Sequence, residues 1–522
     1  MEERVGRNDE LAEGGLLEAK VGGKAVVLLR SDGELRAYGG RCTHYDGPLA
    51  KGLVHDGRLV CPWHGGTFDA ATGDLLEPPP LAGLVALPVR VDESGEIWVD
   101  RPDDTPRQRA MPMTGRDPAD ERVFAVVGGG AAGAAAVEGL RQHGFTGSIV
   151  LVSREDRRPY DRPNLSKDYL AGSAGADWLP LHPQSFYDRH GIELLHGEVT
   201  RLDAATRRLE LGDGSTFTPD AVLIASGALP RRLTAPGADL PGVFTLRSWS
   251  DCDAVIAGLE GAARAVVVGA SFIGMECAAS LRERGLEVTV VAPDETPLAA
   301  NLGPEIGGFL RRRHEAHGVR FALGRTVARL SGEASVRELE LDDGSRLAAD
   351  LVVVGIGVAP AAGFVENAMV NDDGSLDVDG ELRVNDRGVW AAGDVARYPE
   401  VHVGGRARIE HWRLAEQHGR AAAASMAGRG APFEGVPGFW TEQFGLRIAY
   451  AGVSRGWDTA IPVGDVASGD FTVLFARGDE LLAVAGTRDL DVAAFAELMR
   501  LGRLPRAGGA ADAAESGLAH LL

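Results

Sequence analysis

Through the first hundred positions, apolar residues come in short runs separated by turn residues. Lys24–Arg30, Gly52–Val54, Arg58–Val60 and Glu96–Val99 read as strands, and no 3.6-residue period joins them. Asp56-Gly57 lies between two of these runs and suits a two-residue hairpin, because both residues tolerate positive φ. Residues 5–100 are therefore predicted to be all-β. Between Asp100 and Arg122 the pattern gives way to proline, arginine and aspartate, which predicts a linker over residues 101–121.

Beyond it the period changes. Strand, glycine loop, helix and strand follow one another through Arg122–Val127, Ala131–His143 and Ser148–Val152, the pattern of a parallel α/β sheet. The unit recurs at Arg264–Val268, Ile273–Arg284 and Glu287–Val291, about 141 positions later, which implies an internal duplication. After Gly435, strand-like runs at Arg447–Val453, Phe471–Phe475 and Leu481–Ala485 precede a helical stretch near Val492–Leu501. That is a small α+β domain, residues 431–510, and the tail beyond Pro505 reads as disordered. The expected fold class is multidomain: an all-β domain, tandem Rossmann-type α/β domains and a small α+β C-terminal domain.

Composition narrows the function classes. The balance of 54 basic against 75 acidic residues gives −21, which disfavours nucleic-acid and anionic-membrane partners. The cysteines are Cys42, Cys61, Cys252 and Cys277, too few for a disulfide scaffold and suited to a reducing compartment. The acidic, polar start MEERVGRNDE is not a signal peptide, and the longest uncharged stretches, about 15 residues, are too short to span a bilayer. A cytoplasmic protein is expected.

The sharpest chemical signal is Cys42-Thr-His44 followed by Cys61-Pro-Trp-His64-Gly. Thiolate and imidazole are common transition-metal ligands, and a structural zinc site uses the same types. Zinc fingers, however, usually place both cysteines before both histidines, whereas here each loop supplies one of each. That order suits two irons, one held by the cysteines and one by the histidines. The segment resembles Rieske two-iron two-sulfur domains. Gly47 and Trp63 stand where one branch of that family has two further cysteines, so the chain is more similar to the ferredoxin and dioxygenase branch.

Gly128-Gly-Gly130-Ala-Ala-Gly133 follows a strand and opens a helix, as a pyrophosphate loop does. Glu155 stands about where a ribose-binding acid is expected, although Arg154 takes the first position after Ser153. The second loop runs Gly269-Ala-Ser271-Phe-Ile-Gly274-Met-Glu276. Its following strand ends at Ala292 without the usual acid and without an arginine for a 2′-phosphate, which leaves NADH against NADPH open.

Around the second loop, RPYDRPNLSK (Arg158–Lys167), SGALPR (Ser226–Arg231), AAGD (Ala391–Asp394) and EHW (Glu410–Trp412) occur in order. That series resembles the FAD-dependent ferredoxin reductases of aromatic dioxygenases and the apoptosis-inducing-factor-type flavoproteins. With the N-terminal cluster, the whole chain is similar to the Rieske-fused subgroup. The resemblance implies an FAD domain in two pieces, 122–245 and 359–430, with an NAD(P) domain, 246–358, between them. It implies FAD contacts from Gly128, Gly130, Gly133, Glu155, Arg162, Lys167, Val199, Arg247 and Asp394. Glu410, His411, Trp412 and Trp440 would lie by the flavin ring. Gly269, Ser271, Gly274, Glu276 and Gly357 would line the nicotinamide site.

Lys167 adds an independent argument. The chain otherwise uses lysine only at Lys20, Lys24 and Lys51, so a lysine here points to a compact, tunable ammonium by the flavin. It is predicted to pair with Glu276 within about 6 Å, as the catalytic pair. Cys252 and Cys277 form no C-x-x-C pair, which excludes a redox dithiol. His190, His196, His314 and His317 read as solvated or core histidines, and Arg311–Arg313 as a helix face.

A nicotinamide delivers a hydride, a Rieske centre takes one electron, and flavin handles both. The expected function is an NAD(P)H-dependent reductase passing electrons through FAD and its own cluster to an acceptor protein such as an oxygenase. An NADH-responsive redox sensor and a nitrite-reductase-associated electron-transfer component are alternatives.

Overall fold

Two-residue periodicity and tight turns dominate the N-terminal part of the computed structural model, which describes residues 1–453 and 455–522. Its strands form small antiparallel sheets. Leu16–Val21, Lys24–Ser31, Glu34–Gly39 and Ala86–Leu87 make one; Leu53–His55, Arg58–Val60, Thr67–Asp69 and Leu75–Glu77 make another. Asp56 and Gly57 both take positive φ, 50° and 68°, and close the predicted hairpin in register His55–Arg58. Val27, Leu29, Tyr38, Leu49, Leu59 and Phe68 form a core with Cys42 and Cys61 at its edge.

The two glycine-loop units fold alike. The first builds a six-stranded sheet ordered Ile192–His196, Ser148–Ser153, Val123–Val127, Ala221–Ile224, Val389–Ala391, Arg383–Asn385. Its last two strands come from beyond the second unit, so the chain leaves this sheet and returns. The second unit is a fully parallel five-stranded sheet: Val243–Thr245, Leu351–Val354, Arg264–Val268, Glu287–Ala292, Arg320–Leu323.

The duplication extends to atomic packing. Gly128 and Gly269 take φ of +117° and +108°, and a Cβ on Gly133 or Gly274 would lie 1.9 or 2.0 Å from the carbonyl oxygen of Gly128 or Gly269. The helix after the first loop, Ala131–Gln142, lies against Trp412–Met426 through small residues. A Cβ on Gly139 would come within 2.8 Å of the Ala423 Cβ, and one on Gly419 within 2.2 Å of the Ala132 carbonyl oxygen.

The C-terminal part is a five-stranded antiparallel sheet, Gly438–Gln443, Leu446–Gly452, Glu480–Gly486, Asp470–Arg477 and Thr459–Asp465, with the helix Asp489–Arg500. The expectation of a disordered tail is corrected here. Ala507–Glu515 is a helix whose Ala507, Ala510 and Ala514 are buried, and Leu518 is buried just beyond it. Alanines at these spacings make an apolar stripe too small to stand out in the sequence. The Leu518 amide donates to Asp491 Oδ1 at 2.7 Å, and Thr472 donates to the other oxygen at 2.9 Å.

The segment 101–121 forms neither helix nor strand, yet it is tied down. Gly83 and Arg109 exchange backbone hydrogen bonds of 2.9 Å, Met111 packs against the N-terminal core, and the Thr114 amide donates to the Arg141 carbonyl at 2.9 Å. Among the described residues no helix is long and apolar enough to cross a membrane.

Candidate functional site

Two tight loops carry the N-terminal donors. In the first, the Cys42 amide donates to the Gly47 carbonyl at 2.9 Å; in the second, the Cys61 amide donates to the Gly66 carbonyl at 2.8 Å. Asp46 (φ 58°) and Gly65 (φ 69°) turn the backbone so that each loop folds over its cysteine and histidine. Both thiols are buried and unbridged, and the neighbouring Cys61 thiol together with burial raises the pKa of Cys42. His44 Nδ1 and His64 Nδ1 face each other at 3.1 Å. Burial pushes His44 down to about 3, so its ring is neutral and able to bind metal.

These residues fit an iron–sulfur centre. Two metal–nitrogen bonds of about 2.1 Å to one ion place the donor atoms about 3 Å apart, as the histidines are. The thiols form a second pair, which matches the division of a Rieske centre between two irons. A Cβ at Gly47 would stand 2.7 Å from Cys61 Sγ, so only glycine leaves this sulfur its room.

Trp440, from the strand Gly438–Gln443, stands beside the histidines. Its ring centre lies 4.2 Å from that of His64 and 6.2 Å from that of His44. The same tryptophan lines a cavity of about 790 Å³ that runs between the two glycine-loop units. Gly128, Gly130, Glu155, Arg162, Lys167, Val199, Arg247, Asp394, Glu410, His411 and Trp412 line it, as do Ser271, Glu276 and Gly357. Three expected residues stand off its wall. Gly133, Gly269 and Gly274 instead permit the close approach of strand, loop and helix described above.

The cavity fits a dinucleotide cofactor. A Cβ on Gly130 would meet open space, at the start of the helix Ala131–Gln142, where backbone amides attract a pyrophosphate. Glu155 accepts from Arg162 Nη2 at 2.8 Å and from the Tyr160 hydroxyl at 2.5 Å. Burial opposes its ionisation, but Arg162 and these bonds outweigh that and hold its carboxyl below the usual range. Arg247 Nη2 donates to Asp394 Oδ2 at 2.7 Å. His411 is half-buried against Phe439, its pKa pushed down to about 3 by desolvation, and its Nδ1 has no partner among the described residues.

The pairing of Lys167 with Glu276 matches its expectation. Lys167 Nζ donates to Glu276 Oε2 at 2.7 Å and to the Pro163 carbonyl at 3.2 Å. Ser166 donates to the same carboxylate oxygen at 2.5 Å, and Thr441 to Oε1 at 2.7 Å. Thr441 and Ser166 escaped the sequence reading, as did Tyr45, whose hydroxyl donates to the buried Asp161. Desolvation raises the Asp161 pKa even so. Each of these partners lies more than a hundred positions from its mate or beside a more conspicuous motif, so spacing carried no signal.

The remaining candidates are structural. His314 is buried and bonded to Gln443, His317 stacks on Phe444, His190 packs on Phe186, and His196 bonds the Arg154 carbonyl. Cys252 and Cys277 are buried thiols, raised by desolvation, with no disulfide.

Comparison with known proteins agrees with this order of parts. The chain matches the Rieske [2Fe-2S] domain over residues 2–88, the pyridine nucleotide-disulphide oxidoreductases over 123–419 and the reductase C-terminal domain over 438–519. It is 35 % identical over 511 residues to apoptosis-inducing factor 3 of Homo sapiens, covering 95 % of this chain and 84 % of that protein. It is 37 % identical over 363 residues to rhodocoxin reductase of Rhodococcus erythropolis, covering 69 % of this chain and 84 % of that one. Among solved structures, the covalent putidaredoxin reductase–putidaredoxin complex matches with a TM-score of 0.72 at 29 % identity, over 77 % of this chain and 98 % of that one. Donor loops, glycine loops and relatives together place the chain among the FAD- and NAD(P)H-dependent ferredoxin-reductase-type oxidoreductases, in the subgroup that carries an N-terminal Rieske two-iron two-sulfur domain.

Proposed function

We propose that this chain takes electron pairs from NAD(P)H and delivers them singly, through FAD and its own Rieske centre, to a separate acceptor protein such as an oxygenase. The observation that carries this reading is Trp440, which lines the cofactor cavity and also packs against His64. FAD, when bound, accepts a hydride and passes on single electrons. In this reading Gly128, Gly130, Glu155, Arg162, Arg247 and Asp394 hold the flavin nucleotide. Ser271, Gly357 and the Lys167–Glu276 pair orient the nicotinamide against it. His411, Trp412 and Trp440 keep water from the ring, and Cys42, His44, Cys61 and His64 hold the irons. Four unbridged thiols suit a reducing cytoplasm.

Anaerobic titration of the purified protein with NADH and then NADPH, followed by absorbance and low-temperature EPR, tests the reading. A bleached flavin band together with a reduced Rieske signal is expected; absence of either refutes it. His64→Ala should lose the cluster signal while flavin reduction persists.

A further inference from the structure

The histidine side of the cluster site is closed by the chain itself. His64 packs on Trp440, and His44 on Tyr45, whose hydroxyl donates to Asp161 and accepts from Asn164 at 3.3 Å. The N-terminal domain is fastened well beyond this contact. Arg413 donates to the carbonyls of Pro78 and Gly65 at 3.1 and 3.3 Å, and Gln417 to Glu77 at 2.7 Å. Arg58 pairs with Glu497 at 3.2 Å, Arg500 pairs with Asp56 at 2.8 Å, and Leu53 and Val60 share an apolar cluster with Ala493. The segment that joins the domains is pinned at Arg109, Met111 and Thr114, so it is not a loose tether. Turning the histidines outward would break all of these contacts together.

The cysteine side differs. Trp63 packs beside Cys61 over Gly47, where a Cβ would stand 2.7 Å from Cys61 Sγ and 3.4 Å from the indole. Trp63 is only half-buried, and the Arg447 guanidinium, which is held by Asp489 and mostly covered, lies 5.0 Å from its ring centre. An aromatic ring thus runs from the cysteine loop to the surface.

The geometry points to a fixed domain with separate entry and exit. Electrons enter on the histidine side past Trp440 and leave through Trp63 to a one-electron acceptor protein seated over that ring. This rests on the electron path proposed above. Each departure oxidises the iron pair by one electron and reduces one acceptor. Two departures consume the pair from one NAD(P)H, with one proton released to solvent.

The experiment uses the full-length holoprotein with cytochrome c as the acceptor probe. Trp63→Leu and Trp63→Phe are compared with wild type for iron content, the EPR spectrum of the reduced cluster, and the rates of cluster reduction and cytochrome c reduction. His64→Ala, which has no cluster, sets the background. Trp63→Leu should assemble the cluster and accept electrons from NADH normally, yet deliver them at least about tenfold more slowly (about 1.4 kcal/mol). Trp63→Phe should recover most of the loss. An unchanged delivery rate in Trp63→Leu overturns the proposal, whereas failure of NADH to reduce the wild-type cluster would instead refute the path on which it rests. A disulfide between Leu53→Cys and Ala493→Cys should leave delivery intact. Loss of delivery on locking, restored by thiol, would show that the domain must move. Hydrogen exchange gives a readout apart from turnover: segments 43–47 and 412–420 should keep equal protection in the oxidised and NADH-reduced protein, and loosening on reduction would count against a fixed domain.

Discussion

Lys167 and Glu276 come from different dinucleotide units, 109 positions apart, and meet at 2.7 Å on the wall of the cofactor cavity. Glu276 is almost wholly buried, and Lys167 is its ion-pair partner there. Lys167→Ala should cost about 3 kcal/mol, the low end for breaking a buried pair, because Ser166 and Thr441 still bond the carboxylate. Glu276→Gln keeps hydrogen-bonding capacity and should fold better. Both variants should reduce bound flavin at least about tenfold more slowly in stopped-flow mixing with NADH. Wild-type rates in both would remove the pair from the hydride step.

On the proposed function, with one cofactor to each glycine loop, the duplicated glycines separate the two sites. A Cβ on Gly133 would collide with the Gly128 carbonyl oxygen at 1.9 Å, and one on Gly274 with that of Gly269 at 2.0 Å. Gly133→Ala should therefore be purified without the yellow flavin chromophore. Gly274→Ala should retain FAD and be reduced by dithionite, but respond to NADH only at much higher concentration. Equal flavin content in the two variants would contradict the assignment of one loop to each cofactor.

Nicotinamide preference follows from charge at the end of the strand Glu287–Ala292. Ala292 offers no acid, but Asp294 and Glu295 follow it, and a Cβ on Gly324 would stand 2.7 Å from Glu295 Oε1. Arg325, the nearby cation, is already committed to Asp343 at 2.6 Å. A 2′-phosphate would meet acids without a free arginine, so NADH should be favoured over NADPH about tenfold or more in kcat/KM. Glu295→Gln should narrow that ratio, and a preference for NADPH in the wild type would overturn the argument.

How much of this was legible in the sequence depended on the range of the contacts. Gly128 and Gly133, or Cys61 and His64, act over one turn or loop, so their spacing alone announces the chemistry. Thr441 on Glu276 and Asp161 on Tyr45 are contacts between domains, 165 and 116 positions apart, and no local pattern marks them. The tail misled for a different reason. Ala507, Ala510 and Ala514 bury a face that carries too little apolar surface to register as amphipathic. Proline-rich composition likewise describes residues 101–121 equally well whether the segment swings or, as here, is pinned at Arg109 and Thr114.

His314 makes stability depend on pH. It is fully buried beside Gln443, and desolvation lowers its pKa from 6.5 to about 4, with Arg313 and His317 adding to the effect. The unfolded side chain thus binds a proton that the folded one refuses, so this contribution is complete above pH 6.5 and is lost as pH falls toward 4. The loss from this residue is about 3 kcal/mol by pH 4. Urea unfolding of wild type and His314→Gln at pH 7 and pH 4.5 should show the smaller acid-induced loss in the variant. Parallel losses would mean that His314 titrates normally.

Deletion of residues 507–522 tests the packed tail. The deletion uncovers the apolar cluster around Val492, Phe495 and Leu474, and it leaves buried Asp491 without the Leu518 amide. Leu518 alone contributes about 2 kcal/mol through burial, and the unsatisfied carboxylate adds to the cost. The thermal transition of the C-terminal domain should fall by about 5 °C or more. Ala519 and Leu522 also reach the cluster formed by Leu53, Val60 and Ala493, so the N-terminal domain should loosen as well. Hydrogen exchange should therefore rise in the hairpin Leu53–Val60 even though no residue of that hairpin has changed. An unchanged transition, with an unchanged hairpin, would return the tail to the disordered state that its composition suggests.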